Sequence, residues 1–438
     1  MLQDLEHEYL CSIGNMKSLL VILLFSISSC MTSYQKEVGT GLISLSYSCE
    51  YLVSKEFEIE PGSIFLVSDT LDLKGKRLKM PKDVTIVFKK GIIKNGVLIG
   101  ENTRIEYNNR IFDKVKIEGT WLVPCVKTSM FCDLNYANSL RDVFALTNPS
   151  INNTVLVEKG NYYINLTHNA EAGLVINDKT HVKIEGNVHL VQNEYPNYSI
   201  ISAIGKDITI EGHGKILGDR YNHVGVGGEW GMGIIVSGQN IKLRDISVQN
   251  CWGDCIYVTG ESRDILINHC SLSGGRRQGI SVISADGITI KNCVITNVGG
   301  TDPGYAIDIE PNENDRVGTV VVENTNCYNC AGGFTANGRA KNSKVDTVLI
   351  RNCIFKAKGK PAVISTTCTS ITINKCQIVQ EVGNKTIAFD HIGDLNITRN
   401  SFVYQDSLKL RIDKKVKGFL NMESWPIIIR DCNKLILK

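Results

Sequence analysis

The sequence predicts an all-β solenoid of stacked parallel coils, and three observations predict it. Short alternating apolar runs broken by Gly, Asn and Lys dominate from Gly62 onward, with one helix-period stretch among them. From Val182 a unit recurs: three strand residues, two polar residues, then a column residue. The column residues are Asn187, His213, Ile246, Cys270, Cys293, Thr325, Cys353, Cys376, Asn400 and Cys432, at intervals of 26, 33, 24, 23, 32, 28, 23, 24 and 32 residues. The shortest interval keeps returning, and the longer ones absorb loop insertions. A second column follows each unit: GIIV at 233–236, CIYV at 255–258, GISV at 279–282, AIDI at 306–309, GFTA at 333–336 and AVIS at 362–365. Several short strands per repeat without a helix, and like residues at like positions, describe stacked coils.

The elements follow in order. Residues 1–30 read as a targeting segment. MKSLLVILLFSISSC from Met16 has one Lys, an apolar core from Leu19 to Ile27, and small residues before Cys30. It resembles a bacterial lipoprotein signal, which implies export and a lipidated Cys30. Asp4, Glu6 and Glu8 are wrong for a signal n-region, so translation is expected to start at Met16. The apolar run is too short for a stable span. The expected location is the cell envelope, with membrane contact only through acyl chains. Residues 31–60 are a tether, 61–125 an N-terminal β region, 126–165 a helix cap with the first strands, and 166–438 the coils. In Asn138–Thr147, Leu140, Val143, Phe144 and Leu146 form a helical stripe. A helix here would cover the open edge of the stack.

Composition narrows the partners. A net charge of +3 on 438 residues disfavours nucleic acid. Gly is frequent at 39 and Pro scarce at 9, which suits tight turns between strands. The 15 Cys would first point to disulfides in an exported chain. Five of them, however, fall in one column, where side chains stack about 4.8 Å apart and point the same way. That is poor disulfide geometry, so they read as free core thiols. Cys327 and Cys330 form a CxxC with no second pair to complete a zinc site.

The stretch Gly253–Asp315 carries the candidate chemistry. Period-two alternation sends Ile234, Ile256, Ile280, Ile307, Phe334 and Val363 into the core. Tyr257, Ser281, Asp308 and Thr335 then face outward, with Glu310 and Asn337 two positions on. Asp254, Arg277 and Gln278 sit at the strand entrances. Such a wall can hold an extended polymer, because its rungs repeat as sugar units do. The insertion GDRYNHVGVGGEWGMG, residues 218–233, brings His223, Glu229 and Trp230 beside it, and a Trp near a carboxylate suits a pyranose face. The insertion 299–305, with Tyr305, forms the other side. Each feature also has a structural reading. Asp254 would be a turn acid, Arg277 and Asp308 a structural ion pair, and the inserted loops mere packing.

The coil pattern resembles right-handed parallel β-helix proteins of the pectate lyase and polygalacturonase kind, over roughly residues 140–438. WGDCIYV at 252–258 resembles the GDDCIAI rung of glycoside hydrolase family 28, the polygalacturonases, and places Asp254 on the second acid of its pair. RQGISVIS at 277–284 resembles the GHGLSIGS rung, with Gln278 where that family has His. GMGIIV at 231–236 has Met232 where that family has an acid. The resemblance implies the architecture and a polysaccharide partner, and polygalacturonase activity does not carry over. Hydrolysis would use Asp254 as acid with Asp308 or Glu310 as base, two carboxyls that must stand roughly 6.5–9.5 Å apart for inversion. The expected substrate contacts are Gln278, Arg276, Tyr257, Trp230, Glu229, His223 and Tyr305. Two alternatives stand beside hydrolysis. One is a uronate lyase or epimerase using Arg276 and Arg277, with optional Ca2+ on Asp302, Asp308, Glu310, Glu313 and Asp315. The other is a non-catalytic glycan-binding or adhesion solenoid. No cofactor is required for hydrolysis, and a monomer is favoured over a trimeric spike.

Overall fold

A computed structural model describes residues 59–136, 138–225, 227–381, 387–404, 410–413, 427–430 and 434–437. The targeting segment with Cys30, nearly all of the tether, and Cys432 lie outside the described residues. Two compact units divide the chain. One comprises the residues through Val123 with Ser129–Cys132, and the other Pro124–Thr128 with Asp133 onward.

In the first unit the strands run parallel. Ile64–Val67 pairs with Thr85–Phe88, which pairs with the far end of Ile93–Glu106. The latter strand pairs in turn with Phe112–Trp121. Phe65, Met80, Ile86, Ile93, Phe112 and Trp121 fill its interior.

The second unit is a parallel β-helix. The predicted helix spans Ser139–Phe144, shorter than its sequence stripe, and buries Leu140, Val143 and Phe144. It packs on strands Asn161–Ile164 and Glu171–Ile176, and Arg141 pairs with Glu171 at 2.6 Å. Beyond it each coil has three strand segments. The third segments stack into a ten-stranded parallel sheet among the described residues, from Asn161–Ile164 to Ser401–Tyr404. The first segments keep strict register: Ile234, Ile256, Ile280 and Ile307 are successive partners, followed by Phe334 and Val363. All six are fully buried.

The column between the second and third segments has a physical cause. From Ile246 to Cys353 the residue before it takes a left-handed backbone: φ is 56° at Asp245, 53° at His269, 55° at Asn292, 48° at Asn324 and 55° at Asn352. Asn and Asp tolerate this conformation best among non-glycine residues. The column side chain then receives a backbone N–H from the coil before it. Cys293 N donates to Thr325 Oγ1 at 3.4 Å, Cys353 N to Cys376 Sγ at 3.4 Å, and Cys376 N to Asn400 Oδ1 at 2.7 Å. Cys, Thr and Asn interchange because each is small and offers an acceptor. The described column cysteines, Cys270, Cys293, Cys353 and Cys376, are buried free thiols.

The register corrects the column at its start. Asn187 pairs with Lys215, which pairs with Ser247 and then Ser271. Gly186 and Gly214, not Asn187 and His213, therefore stand in line with Ile246 and Cys270. His213 is exposed, one residue out of step.

Candidate functional site

The outward row is where the alternation places it. Ile235, Tyr257, Ser281, Asp308 and Thr335 are successive register partners. Their burial differs from expectation. Asp254, Gln278 and Ser281 are 0% exposed and Asp308 is 1% exposed, so these polar groups do not line an open groove. Tyr257, Arg277 and Glu310 are half-buried and form the outer layer.

Asp254 ends the turn before strand Ile256–Asn268, and its N–H points at Met232 Sδ at 3.5 Å. Its Oδ2 receives Ser281 Oγ at 2.7 Å and Arg277 Nη1 at 3.3 Å. Its Oδ1 is buried without a hydrogen-bond partner among the described residues. Burial pushes the Asp254 carboxyl up to about 6, with Arg277, Ser281 and the Gln278 N–H pulling the other way. Arg277 thus pairs with Asp254, not with Asp308 as the sequence suggested.

Asp308 is held by Gln278. The Gln278 amide donates to Asp308 Oδ2 at 2.5 Å and accepts the Tyr305 N–H at 2.6 Å. Asp308 Oδ1 has no donor among the described residues. Burial, then the negative charges of Glu310 and Asp254, push Asp308 well above the usual carboxylate range. Glu310 lies two residues on, on the same face, and its Oε1 accepts Asn337 Nδ2 at 3.1 Å. Asp254, Asp308 and Glu310 therefore interact as one cluster, the first two with raised pKa values.

Several expected substrate contacts have other work. Gln278 is a buried bracket between Asp308 and the Tyr305 backbone. Tyr305 is itself buried, its ring packed where any side chain at 332 would stand, and that residue is Gly332. Arg276 lies 3.8 Å from the Trp252 ring centroid and donates to Gly228 O at 3.0 Å. His223 has a fully buried side chain. Its Nδ1 is 2.8 Å from Asp219 Oδ2, and its ring stacks on Trp252 at 4.0 Å. Asp219 also accepts from Asn193 and from the Tyr198 hydroxyl. That knot ties His223 and Asp219 of the insertion to Asn193, Tyr198 and Trp252. Trp230 is the exception: it is 51% exposed, with its Nε1 on Glu229 Oε1 at 3.2 Å.

The cation set does not assemble. Asp302 is exposed and pairs with Lys360, and Glu313 pairs with Lys341 at 3.3 Å. Among the described residues no group of three or more His, Cys, Asp or Glu side chains could hold a metal ion.

Sequence reasoning missed Ser281 as a carboxylate ligand, although its register one coil below Asp308 was available. It also missed the Tyr198–Asp219–Asn193 knot, whose members are brought together only by tertiary packing.

A family model described as a right handed beta helix region matches residues 232–402. Two proteins of Bacillus subtilis (strain 168) are similar in sequence. The SPbeta prophage-derived uncharacterized protein YorA is 25% identical over 299 residues, 60% of this chain and 46% of that protein. The uncharacterized protein YclG is 29% identical over 188 residues, 36% of this chain and 32% of that protein. The chain spans less than half the length of these curated relatives. Among solved structures, the A-module of mannuronan C-5 epimerase AlgE6 from Azotobacter vinelandii gives a TM-score of 0.40 at 10% identity, over 66% of this chain and 91% of that one. The Streptococcus pneumoniae surface protein and adhesin PfbA gives 0.38 at 10% identity, over 84% and 91%. The strand register and the matched region together make the second unit a right-handed parallel β-helix.

Proposed function

We propose that this protein is an exported, polysaccharide-active enzyme that hydrolyses glycosidic bonds at the Asp254–Asp308–Glu310 cluster. One observation carries the reading. Two carboxyls are fully buried two coils apart, with the Ser281 coil between them, each with a raised pKa and an oxygen without a hydrogen-bond partner among the described residues. A solenoid needs no acid there, since Ser281 and Thr335 fill the same row. Buried carboxyls with shifted pKa values cluster where acid–base chemistry is done.

The shifts reverse the roles read from sequence. Asp308, held protonated, is the acid that gives its proton to the leaving glycosidic oxygen as the C–O bond breaks. Asp254, ionised above about pH 6, takes a proton from the water whose oxygen bonds to the anomeric carbon. Arg277 and Ser281 orient Asp254, and Gln278 orients Asp308. Trp230 and Glu229 offer an exposed sugar platform. The layout of residues 16–30 supports export with a lipid at Cys30, and Cys30→Ala abolishing palmitate incorporation is its check.

Non-catalytic glycan binding is the second reading, and the exposed Trp230 beside Glu229 favours it. Reducing-end release from a glycan panel separates the two. The wild type should release ends, and Asp308→Asn should lower the rate by about 10²–10⁴-fold with the melting transition retained. A wild type that binds a glycan yet releases neither reducing ends nor unsaturated uronide would establish binding alone.

A further inference from the structure

Both acids of the row are closed off from solvent, so a ligand that reaches them needs a way in. Asp254 and Asp308 are 0% and 1% exposed. Most of what surrounds them is locked. Gln278 is held by Asp308 at 2.5 Å and by the Tyr305 N–H at 2.6 Å. The Tyr305 ring is wedged against Gly332, in the space that a Cβ there would need. Met232, against the Asp254 N–H, is buried as well. The backbone of the Arg277 turn is pinned too. The Arg276 N–H donates to Cys251 O at 3.0 Å, the Arg277 N–H to Gly253 O at 3.2 Å, and Arg220 Nη1 to Gly275 O at 3.2 Å.

Two side chains are held differently. Arg277 keeps Asp254 by one bond, Nη1 to Oδ2 at 3.3 Å, and its Nε is buried without a partner among the described residues. Its side chain is 12% exposed, so it already touches solvent. Turning outward exchanges one long contact and an orphaned donor for hydration, and a buried donor without a partner is a cost that leaving relieves. Tyr257 is half-buried and in register with Ser281, whose hydroxyl donates to the same Asp254 oxygen. Burial and the Asp254 charge push the Tyr257 phenol up and Arg277 pulls it back, which places the phenol beside both. We propose that Arg277 and Tyr257 are the gate of the carboxyl row. Their side chains turn outward on a fixed backbone and open Asp254 to a ligand, while Gln278 keeps Asp308 in place. That the ligand is a glycan rests on the reading proposed above. Opening also gives Arg277 a second position, where its freed N–H groups donate to the hydroxyls of the sugar that displaced it.

Carboxyl labelling with a water-soluble carbodiimide and glycinamide, resolved by peptide mass, tests the gate on the full chain with no glycan present. Exposed Glu261 sets the open rate, and buried Asp219, in the knot with His223, reports general loosening. The wild type should label Asp254 at least about tenfold more slowly than Glu261. Tyr257→Ala, and separately Arg277→Met, should each raise the Asp254 rate by about tenfold with Asp219 still protected. Tyr257→Ala leaves the bonds of Ser281 and Arg277 to Asp254 untouched, so it decides alone where Arg277→Met fails to fold. Asp254 labelled in the wild type as fast as Glu261 overturns the gate. So does an Asp254 rate that stays unchanged in Tyr257→Ala, or that rises only together with Asp219. A gate that passes this test on a protein that neither binds nor cleaves a glycan overturns the carbohydrate reading and stands without it.

Discussion

Asp254 makes a claim about pH that is independent of any substrate. Its carboxyl moves from an ordinary 3.8 to about 6 because burial penalises the anion. Between those values the folded protein holds a proton that the unfolded chain has released. The contribution of this residue to stability therefore falls as pH rises from about 4 to 6, and is flat above. The full shift corresponds to about 3 kcal/mol. Asp254→Asn cannot titrate, so its melting temperature should gain on the wild type from pH 4 to pH 7. A gap that does not change with pH would refute the buried-anion account. Under the proposed hydrolysis the same group should give kcat/KM an acidic limb near pH 6, where the base loses its charge. The alkaline limb would belong to Asp308, whose proton burial and the Glu310 charge help to hold. A profile falling from pH 5 upward would instead make Asp254 the acid, as the sequence alone suggested.

At the scale of the element, the entrance to alternate first segments, at Gly233, Gly279 and Gly333, is a tight passage, with Cys255, Ala306 and Ala362 in the coils between. A Cβ at Gly279 would stand 2.4 Å from the Ala306 carbonyl oxygen and 2.6 Å from Ile295 Cγ2. Gly333 meets the Ala362 oxygen at 2.2 Å in the same way. Gly279→Ala should cost about 1–3 kcal/mol through forced separation of neighbouring coils. Gly359→Ala, with open space around it, should stay within about 0.5 kcal/mol. Thermal melts of the pair decide whether coil spacing or glycine flexibility matters. The elements themselves were legible because strand alternation and the left-handed Asn turn are local. The column slipped at Asn187 and His213, where Gly214 and Gly186 stand in for side chains and leave no residue to align. The burial of the carboxyl row was not legible. Its covering comes from Arg277, Tyr257, Gln278 and Tyr305, which meet only once coils of unequal length are stacked. For the same reason the pairing of Arg277 with Asp308, reasonable along the chain, gives way to Asp254 in space.

For the solenoid as a whole, each coil rests only on its neighbours, so stability is distributed along one axis. The thiols provide reporters along it. Cys251, Cys255, Cys270, Cys293, Cys327, Cys330, Cys353, Cys368 and Cys376 are free and buried, whereas Cys125 is exposed. Burial pushes Cys368 up to about 12 and Cys330 likewise to about 12, so neither is a ready thiolate while folded. A thiol reagent should therefore label Cys125 at once and the buried nine only as coils open. The central coils are flanked on both sides and stapled by Arg220 across the 218–230 and 299–305 insertions. Cys368 and Cys376 lie nearer the far end of the stack, where the bridge is the exposed Arg339 on Thr366 and Asp390. In urea below the main transition, mass-resolved pulse labelling should reach Cys368 and Cys376 before Cys270 and Cys293. Arg220→Ala should narrow that interval by loosening the centre. Simultaneous labelling of all nine at every urea concentration would mean one cooperative block, and would remove the argument that the insertions hold the middle of the helix, and with it the carboxyl row, more firmly than its end.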